Sequence, residues 1–217
     1  MTVAVHPTAL EGVLVIEPSI RRDERGFFLE SYHQSAYQSA GIRYLFVQDN
    51  FSRSRQGVLR GFHFQDVTAP MAKLVRCVRG RVLDVAVDLR VGSPSFGRHV
   101  SLELDEDRML QLLVPVGFGH AFLALSEWAD VEYRCSGFYT PAAERVLAWD
   151  DPQIGIRWPV ASPILSARDR QGMSLGDYLE APAFHFSPSP SAGAGGLSPS
   201  PSTGEGRGGG ASSGGIP

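Results

Sequence analysis

This sequence of 217 residues has few cysteines, little net charge and no long apolar run. Its two cysteines, Cys77 and Cys135, lie in apolar strand-like segments; nothing in the sequence supports a disulfide between them, and reduced core thiols are expected. A net charge of −3 lacks the basic excess of nucleic-acid binders. No stretch has the length of a membrane span, and the first residues do not form a basic-then-apolar leader. We therefore expect a cytoplasmic protein with neither a nucleic-acid nor a membrane partner.

The last 31 residues, 187–217, also lack aromatic side chains and contain 10 Gly, 8 Ser and 5 Pro. Such a composition cannot bury enough apolar surface to offset the entropy lost on ordering, so this segment is predicted to be a disordered tail. Residues 1–186 remain, and that length suits one domain with a single core.

Strand patterns dominate residues 1–186. Residues 82–89 alternate strictly, with Leu83 and Val85 on one face and Asp84 and Asp88 on the other, which predicts a strand with one buried face. Gly80-Arg81 separates it from the apolar run 73–79 and predicts a tight hairpin. Turn clusters separate further strand candidates, at residues 13–16, 44–48, 58–65, 100–104, 109–114, 121–125 and 131–138. Short helices are expected at 34–39 and 175–179, so the sequence predicts an all-β sandwich or barrel with a few short flanking helices.

Two segments resemble the metal-binding motifs of cupin jelly rolls. In the first, five residues separate Gly57 from His63, but Gln65 replaces the second histidine and Lys73 stands at the usual place of the glutamate. The second motif ends at His120 with the expected spacing. A catalytic metal needs about three neutral or anionic protein ligands, whereas a lysine brings a positive charge. We therefore expect a cupin jelly roll with no metal and no cofactor, in which a cation would stabilise an enolate oxygen.

A collinear set of segments from about residue 10 to 170 resembles the dTDP-4-dehydrorhamnose 3,5-epimerase family. These segments are 23–30 (DERGFFLE), 46–52 (FVQDNFS), 57–65 (GVLRGFHFQ), 73–76 (KLVR), 84–90 (DVAVDLR), 92–97 (GSPSFG), 115–120 (PVGFGH), 139–141 (YTP) and 149–151 (WDD). The resemblance implies a metal-free isomerase in deoxysugar biosynthesis that inverts C3, C5 or both in a dTDP-4-keto-6-deoxyhexose.

The resemblance also implies the catalytic roles. His63 would remove the proton next to the C4 ketone, and Asp169 would orient and charge-balance it. Lys73 would stabilise the enolate, and Tyr133 would return a proton from the opposite face. This chemistry is coherent, because imidazole titrates near neutral pH and removal and return from opposite faces require two groups.

Substrate contacts follow from the same resemblance. Three arginines, Arg25, Arg60 and Arg168, would bind the pyrophosphate through forked, charged hydrogen bonds. His120 would line the pocket. Five further positions would contact the nucleotide or the sugar: Glu30, Gln48, Asn50, Tyr139 and Glu144. In the family, the arginine matched by Arg25 reaches a neighbouring subunit's site, which implies a homodimer.

Several alternatives remain open on sequence alone. Phe138 replaces the first tyrosine of a common Tyr-Tyr pair, and Gly119-His120-Ala121 replaces a frequent Ala-His-Gly; an epimerase of C3 or C5 alone, of the kind that makes antibiotic sugars, is therefore an alternative. A non-catalytic nucleotide-sugar-binding cupin and a metal-dependent cupin enzyme are further alternatives. Strict alternation puts Arg60 and His63 on opposite faces, so a shared cavity requires a bulge or a bend, for which Gly61 is the expected place.

Overall fold

A computed structural model describes residues 3–187. Apart from Ser187, the tail predicted at 187–217 lies outside the described residues, and its disorder stays a prediction. The strands, in chain order, are β1 (Ala4–Pro7), β2 (Leu14–Glu17), β3 (Ile20–Asp23), β4 (Gly26–Leu29), β5 (Gln48–Arg55), β6 (Leu59–Gln65), β7 (Lys73–Arg79), β8 (Arg81–Asp88), β9 (Arg90–Val91), β10 (His99–Asp105), β11 (Gln111–Val114), β12 (Phe118–Ala124), β13 (Trp128–Cys135), β14 (Glu144–Val146) and β15 (Phe184–His185).

The helices are short, as predicted. Helix α1 spans Gln34–Ser39, and His33 caps its start by accepting a hydrogen bond from the amide of Ala36. Helix α2 spans Leu175–Glu180 and begins with a capping box between Ser174 and Asp177. Two 3₁₀ turns cover Pro141–Ala143 and Asp169–Gln171. None of the helices within residues 3–187 is long and apolar enough to cross a membrane.

Two antiparallel sheets form the body of the fold. The first has six strands in the order β1-β2-β11-β7-β13-β5, and the second has five in the order β10-β8-β12-β6-β14. A core of apolar side chains from both sheets lies between them, including Val75, Ala86, Phe122 and Val131. Strands β3 and β4 form a separate hairpin, and β9 pairs in parallel with β15. This architecture confirms the predicted all-β sandwich.

The second sheet is covered on its outer face as well. Phe62, Phe64 and Val85 pack there against Leu175 of α2 and against Phe184. The first sheet is covered in the same way, since Tyr37 of α1 and Ile42 pack on the outer face of its strands β2, β7 and β11. Both faces of β8 are therefore buried, and the prediction of one solvated face there was wrong.

The predicted hairpin at Gly80-Arg81 was also wrong. Strand β7 pairs with β11 and β13, whereas β8 pairs with β10 and β12, so the chain crosses from one sheet to the other at Gly80. Gly80 has a positive φ of 71°, and a Cβ there would lie 2.2 Å from Ser126 Oγ. Only glycine fits this close crossing.

The strand expected at residues 44–48 lies further along the chain. Strand β5 starts at Gln48 and runs through a polar sequence to Arg55 at the edge of the first sheet. Tyr44 and Phe46 precede it and pack on the cluster beneath α1 instead. The two cysteines are buried and free, on the neighbouring strands β7 and β13.

Candidate active site

A cavity of about 310 Å3 lies between the two sheets. The wall formed by the second sheet carries Arg60 and His63 on β6 and His120 and Phe122 on β12; we call it the histidine wall. The facing wall, from β5, β7 and β13 of the first sheet, carries Lys73 and we call it the lysine wall. Its other lining residues are Gln48, Asn50, Ser52, Tyr133 and Cys135, and the remaining lining residues of the cavity are Phe64, Gln65, Met71, Tyr139, Glu144 and Arg168.

A bulge at Gly61 brings Arg60 and His63 to the same cavity. Arg60 pairs with Phe122 and His63 with His120, so two residues of β6 oppose the single residue Ala121 between them. Gly61 has a φ of 126°, and a Cβ there would lie 2.5 Å from the Cβ of Ala121. The predicted bulge is confirmed.

His63 forms a dyad with a buried carboxylate. Its Nε2 lies 2.5 Å from Oδ1 of Asp169, which is 3 % exposed and begins the 3₁₀ turn after Arg168. The other carboxylate oxygen, Oδ2, accepts a hydrogen bond of 2.7 Å from Ser166 Oγ. Because Asp169 holds Nε2, the cavity side of the ring is Nδ1. Sequence reasoning missed Ser166, which lies in an irregular segment and in no motif.

Burial and nearby charges set the protonation states of His63 and Asp169. Burial lowers the pKa of His63 below 6.5, and the positive charge of Lys73 lowers it further, against the raising effect of Asp169. Burial alone would raise the pKa of Asp169, but hydrogen bonds from His63 and Ser166 outweigh it and leave that pKa lowered. At neutral pH the histidine is therefore unprotonated and its partner is ionised, as a general base requires.

A second histidine–carboxylate pair stands beside the first. His120 is the direct cross-strand neighbour of His63, and its Nε2 lies 2.9 and 3.0 Å from the two oxygens of Asp84. Asp84 is completely buried on β8. In the sequence, Asp84 lies on the polar face of an alternating strand and begins the family segment 84–90, and this place in the segment was its one signal, but no site role was assigned to it.

The lysine wall carries a phenol and an ammonium group. Lys73 Nζ donates to the backbone oxygen of His63 at 3.3 Å and lies 5.8 Å from the ring centre of Tyr133. Burial lowers the pKa of Lys73 and raises that of Tyr133. Tyr133 is thus a phenol at neutral pH and faces His63 from the other sheet. Cys135 lies beside them, opposite Lys73 in the strand pairing.

Hydrogen bonds join the remaining predicted residues at the cavity's mouth. Glu144 accepts from the hydroxyl of Tyr139 at 2.7 Å and from the guanidinium of Arg168. Gln48 accepts from the amide of Tyr139 at 3.0 Å and donates to Asn50. These contacts fix the segment after β13 next to the cavity.

The donor set at the cupin motif does not suit a metal. Within residues 3–187, no three His, Cys, Asp or Glu side chains converge on a point that could hold an ion. Gln65 is occupied elsewhere, since it accepts from the amide of Thr140 at 2.6 Å and donates to the carbonyl of Ala69 at 2.9 Å. Lys73 adds a cation where a ligand would be required.

Two predicted binding residues lie apart from the cavity. Arg25 is on the β3–β4 hairpin, fully in solvent, and pairs with Asp23 at 2.6 Å. Glu30 follows β4 and does not line the cavity. The other predicted site residues all line the cavity or, for Asp169, contact a residue that does. Met71 and Phe122 line it too, but no motif marked them; Ser52, which also lines it, ends the family segment 46–52 but was not predicted as a site residue.

Comparison with known proteins shows the family of this chain. The family model described as dTDP-4-dehydrorhamnose 3,5-epimerase matches residues 7–177. The chain belongs to this epimerase family. A relative from Pseudomonas aeruginosa, "dTDP-4-dehydrorhamnose 3,5-epimerase", is 47 % identical over 171 residues, which cover 78 % of this chain and 94 % of the relative.

Other epimerases extend the comparison. A Streptomyces niveus relative, "dTDP-4-dehydrorhamnose 3-epimerase", is 43 % identical over 178 residues, 82 % of this chain and 86 % of the relative. The crystal structure of a 3,5-epimerase from Legionella pneumophila in complex with dTDP-4-keto-L-rhamnose superimposes with a TM-score of 0.82 at 40 % identity, covering 85 % of this chain and 99 % of that one. The epimerase fold confirms the predicted cupin jelly roll.

Proposed function

We propose that this epimerase-family chain inverts C3, C5 or both in a dTDP-4-keto-6-deoxyhexose, without a metal or cofactor. The observation that carries the proposal is the placement of His63 with Asp169 on one wall of the cavity and of Tyr133 on the facing wall. Inversion of a carbon requires proton removal from one face and return to the other, and these walls supply a group on each side. The similarity to named epimerases supports the same isomerase class.

The proton path follows from the atoms that face the cavity. His63 Nδ1 accepts the proton from the carbon next to the ketone, while the C–H electron pair forms the enolate double bond and the carbonyl pair moves to oxygen. The Lys73 ammonium stabilises the resulting oxyanion. The hydroxyl of Tyr133 then donates its proton to the other face of that carbon. Water restores the proton of Tyr133 and takes up the one held by His63.

The mouth of the cavity supplies groups for the nucleotide. Arg60 and Arg168 carry guanidinium groups that match the forked geometry of a diphosphate. Glu144 accepts a hydrogen bond from Arg168, so a diphosphate that binds here competes with this carboxylate for the same donors. The remaining contacts proposed for the sugar and base come from Gln48, Asn50, His120 and Tyr139.

We further propose a homodimer in which Arg25 completes the neighbouring subunit's site. The β3–β4 hairpin supports this proposal, because Arg25 contacts no cavity residue of its own chain, while Phe27 and Phe28 beside it are 49 % and 63 % exposed. Exposed aromatic side chains of this kind are typical of a covered surface. Glu30, which follows the hairpin, belongs to the same proposed contact. The cytoplasmic location also stays a prediction.

Heavy water gives the decisive test. The purified chain is incubated with dTDP-4-keto-6-deoxyglucose in deuterium oxide, and NMR follows deuterium at C3 and C5 together with the configuration of each carbon. We expect deuterium and inversion at one or both centres. A chain that binds the nucleotide sugar but exchanges neither proton would instead be a non-catalytic binding cupin.

The same experiment separates a double epimerase from a single-site one. Phe138, which is 70 % exposed and precedes the cavity residue Tyr139, lacks the hydroxyl of the tyrosine common at this place, and a 3-epimerase is among the relatives. Inversion at C3 alone or at C5 alone would favour this second candidate function.

A further inference from the structure

The pair formed by His120 and Asp84 has no part in the proton path described above, yet it is the most deeply buried ionisable pair in the cavity wall. Asp84 is 0 % exposed and His120 is 5 % exposed. Within residues 3–187, His120 is the single hydrogen-bond partner of the Asp84 carboxylate, and both carboxylate oxygens face the same ring nitrogen. A buried carboxylate without a partner is costly, so this contact fixes the ring's orientation.

The orientation decides what His120 presents to the substrate. A carboxylate accepts hydrogen bonds, so Nε2 of His120 carries the proton that it donates to Asp84. In the neutral ring the other nitrogen, Nδ1, is then an acceptor. Nδ1 makes no hydrogen bond within the described part of the chain. Because none of the polar side-chain atoms there is both buried and unpartnered, this nitrogen is accessible. The open space beside it is the cavity that His120 lines.

The position of His120 selects the part of the substrate that it meets. His63 and His120 are directly paired across β6 and β12, which places their Cβ atoms about 5 Å apart. If His63 faces the carbon being deprotonated, His120 faces the same sugar ring. A ketone oxygen and a diphosphate only accept hydrogen bonds, whereas the hydroxyls of the sugar at C2 and C3 also donate them. An acceptor nitrogen at this place therefore pairs with a hydroxyl.

We infer that Asp84 is a positioning residue that holds His120 as an acceptor for one sugar hydroxyl, so that this pair recognises the sugar while His63 and Asp169 perform the chemistry. The inference rests on the proposed function. It adds that the substrate of this cavity must carry a hydroxyl that donates a hydrogen bond to His120. Asp84 acts only through His120 and does not touch the substrate.

The first test reads the tautomer of His120 directly. In the full chain labelled with 15N histidine, two-dimensional NMR distinguishes a protonated from an unprotonated ring nitrogen, and His120→Asn assigns the signal. We expect the tautomer that carries its proton on Nε2 and leaves Nδ1 unprotonated. A protonated Nδ1 would overturn the inference whatever the turnover, because that nitrogen could then not accept from a hydroxyl.

The second test measures recognition by comparing substrates. The parent dTDP-4-keto-6-deoxy sugar is compared with analogues lacking the C2 or the C3 hydroxyl. Both analogues retain protons at C3 and C5, and exchange at whichever of these carbons the protein deprotonates in the parent sugar is recorded as kcat and KM. We expect the unsubstituted protein to use one analogue about three- to tenfold less well than the parent, mainly through KM, as for the loss of one hydrogen bond. The ratio of kcat/KM for the parent sugar to kcat/KM for that analogue should approach one in Asp84→Asn and in His120→Asn.

A double variant separates positioning from general damage to the fold. Because Asp84 acts through His120, Asp84→Asn should change little in the His120→Asn background. Additive losses, or a preference for the hydroxyl that survives in either single variant, would contradict the inference. Glu17→Gln is the matched control, since Glu17 contacts His6 at 3.2 Å in solvent and should change neither ratio. If the unsubstituted protein exchanges no proton of the parent sugar, the proposed function fails, and the tautomer measurement still decides the role of Asp84.

Discussion

The two walls of the cavity use opposite electrostatic arrangements. On the histidine wall, each imidazole is held by a buried carboxylate, Asp169 behind His63 and Asp84 behind His120. On the lysine wall, neither Tyr133 nor Lys73 hydrogen bonds to a carboxylate anywhere in residues 3–187; the ammonium instead donates to the backbone of His63. Carboxylate partners make the imidazoles proton acceptors, whereas a phenol and an ammonium without a carboxylate partner make a proton donor and an anion stabiliser. The asymmetry gives the cavity a direction for moving a proton.

Replacing the base should have the largest effect on this asymmetry. His63→Asn removes the nitrogen that accepts the proton while keeping a polar side chain of similar size. We expect deuterium exchange next to the ketone to fall by about a hundred- to ten-thousand-fold, the usual contribution of a general base. His185→Asn, at an exposed position of β15, serves as control. Exchange within a few-fold of the unsubstituted rate would show that another group removes the proton.

Replacing the acid should give a smaller and more selective loss. Tyr133→Phe removes only the hydroxyl, so His63 can still form the enolate and solvent deuterium can return from the histidine wall. We expect inversion to fall about a hundredfold while exchange persists. The ratio of exchange to inversion, taken from one NMR time course, is the measurement. Equal losses in both would place Tyr133 in substrate binding, and unchanged inversion would remove it from the mechanism.

Local motifs predicted most of the site because the strands that carry them are neighbours. The motif ending at His63 lies on β6 and the motif ending at His120 on β12, and these strands pair directly. Even the bulge at Gly61 could be anticipated, since simple alternation separated Arg60 from His63. Ser166 and Asp84 were missed as site residues for a different reason: their roles depend on contacts with residues far along the chain, which no local pattern encodes.

The fold was predictable in kind but not in connectivity. Apolar alternation and turn residues identify strands, whereas the choice of partner depends on distant segments. The apolar runs on either side of Gly80 suggested adjacent strands, but β7 and β8 belong to opposite sheets. Burial of both faces of β8 was equally invisible, because the cover on its outer face comes from α2 and β15 near the end of the described chain.

The pH dependence of the reaction reports the electrostatic coupling between the walls. Burial, with the charge of Lys73, lowers the pKa of His63 below its ordinary 6.5. The base must be unprotonated, so kcat/KM should be constant near pH 7 and should fall as the pH drops through that lowered pKa. Lys73→Gln removes a nearby cation, so the acidic limb should move to higher pH, in addition to a lower plateau from the lost oxyanion contact. An acidic limb that stays in place in Lys73→Gln would show that the walls are not coupled in this way.

The smallest expected effect is that of metal removal. Metal-dependent cupins bring several ligands to the place where this cavity has Lys73 and an amide, Gln65, which already bonds to Thr140 and Ala69. If the lysine wall stabilises the oxyanion with an ammonium alone, exhaustive treatment with EDTA should change turnover by less than about twofold, since no group in the proposed proton path is a metal ligand. The treated protein is assayed for deuterium exchange before and after addition of Zn²⁺, Mn²⁺ and Fe²⁺ in turn. If EDTA abolishes deuterium exchange and one of these ions restores it, the comparison of the walls would be reversed, because the stabilising charge would then come from a bound cation and not from Lys73.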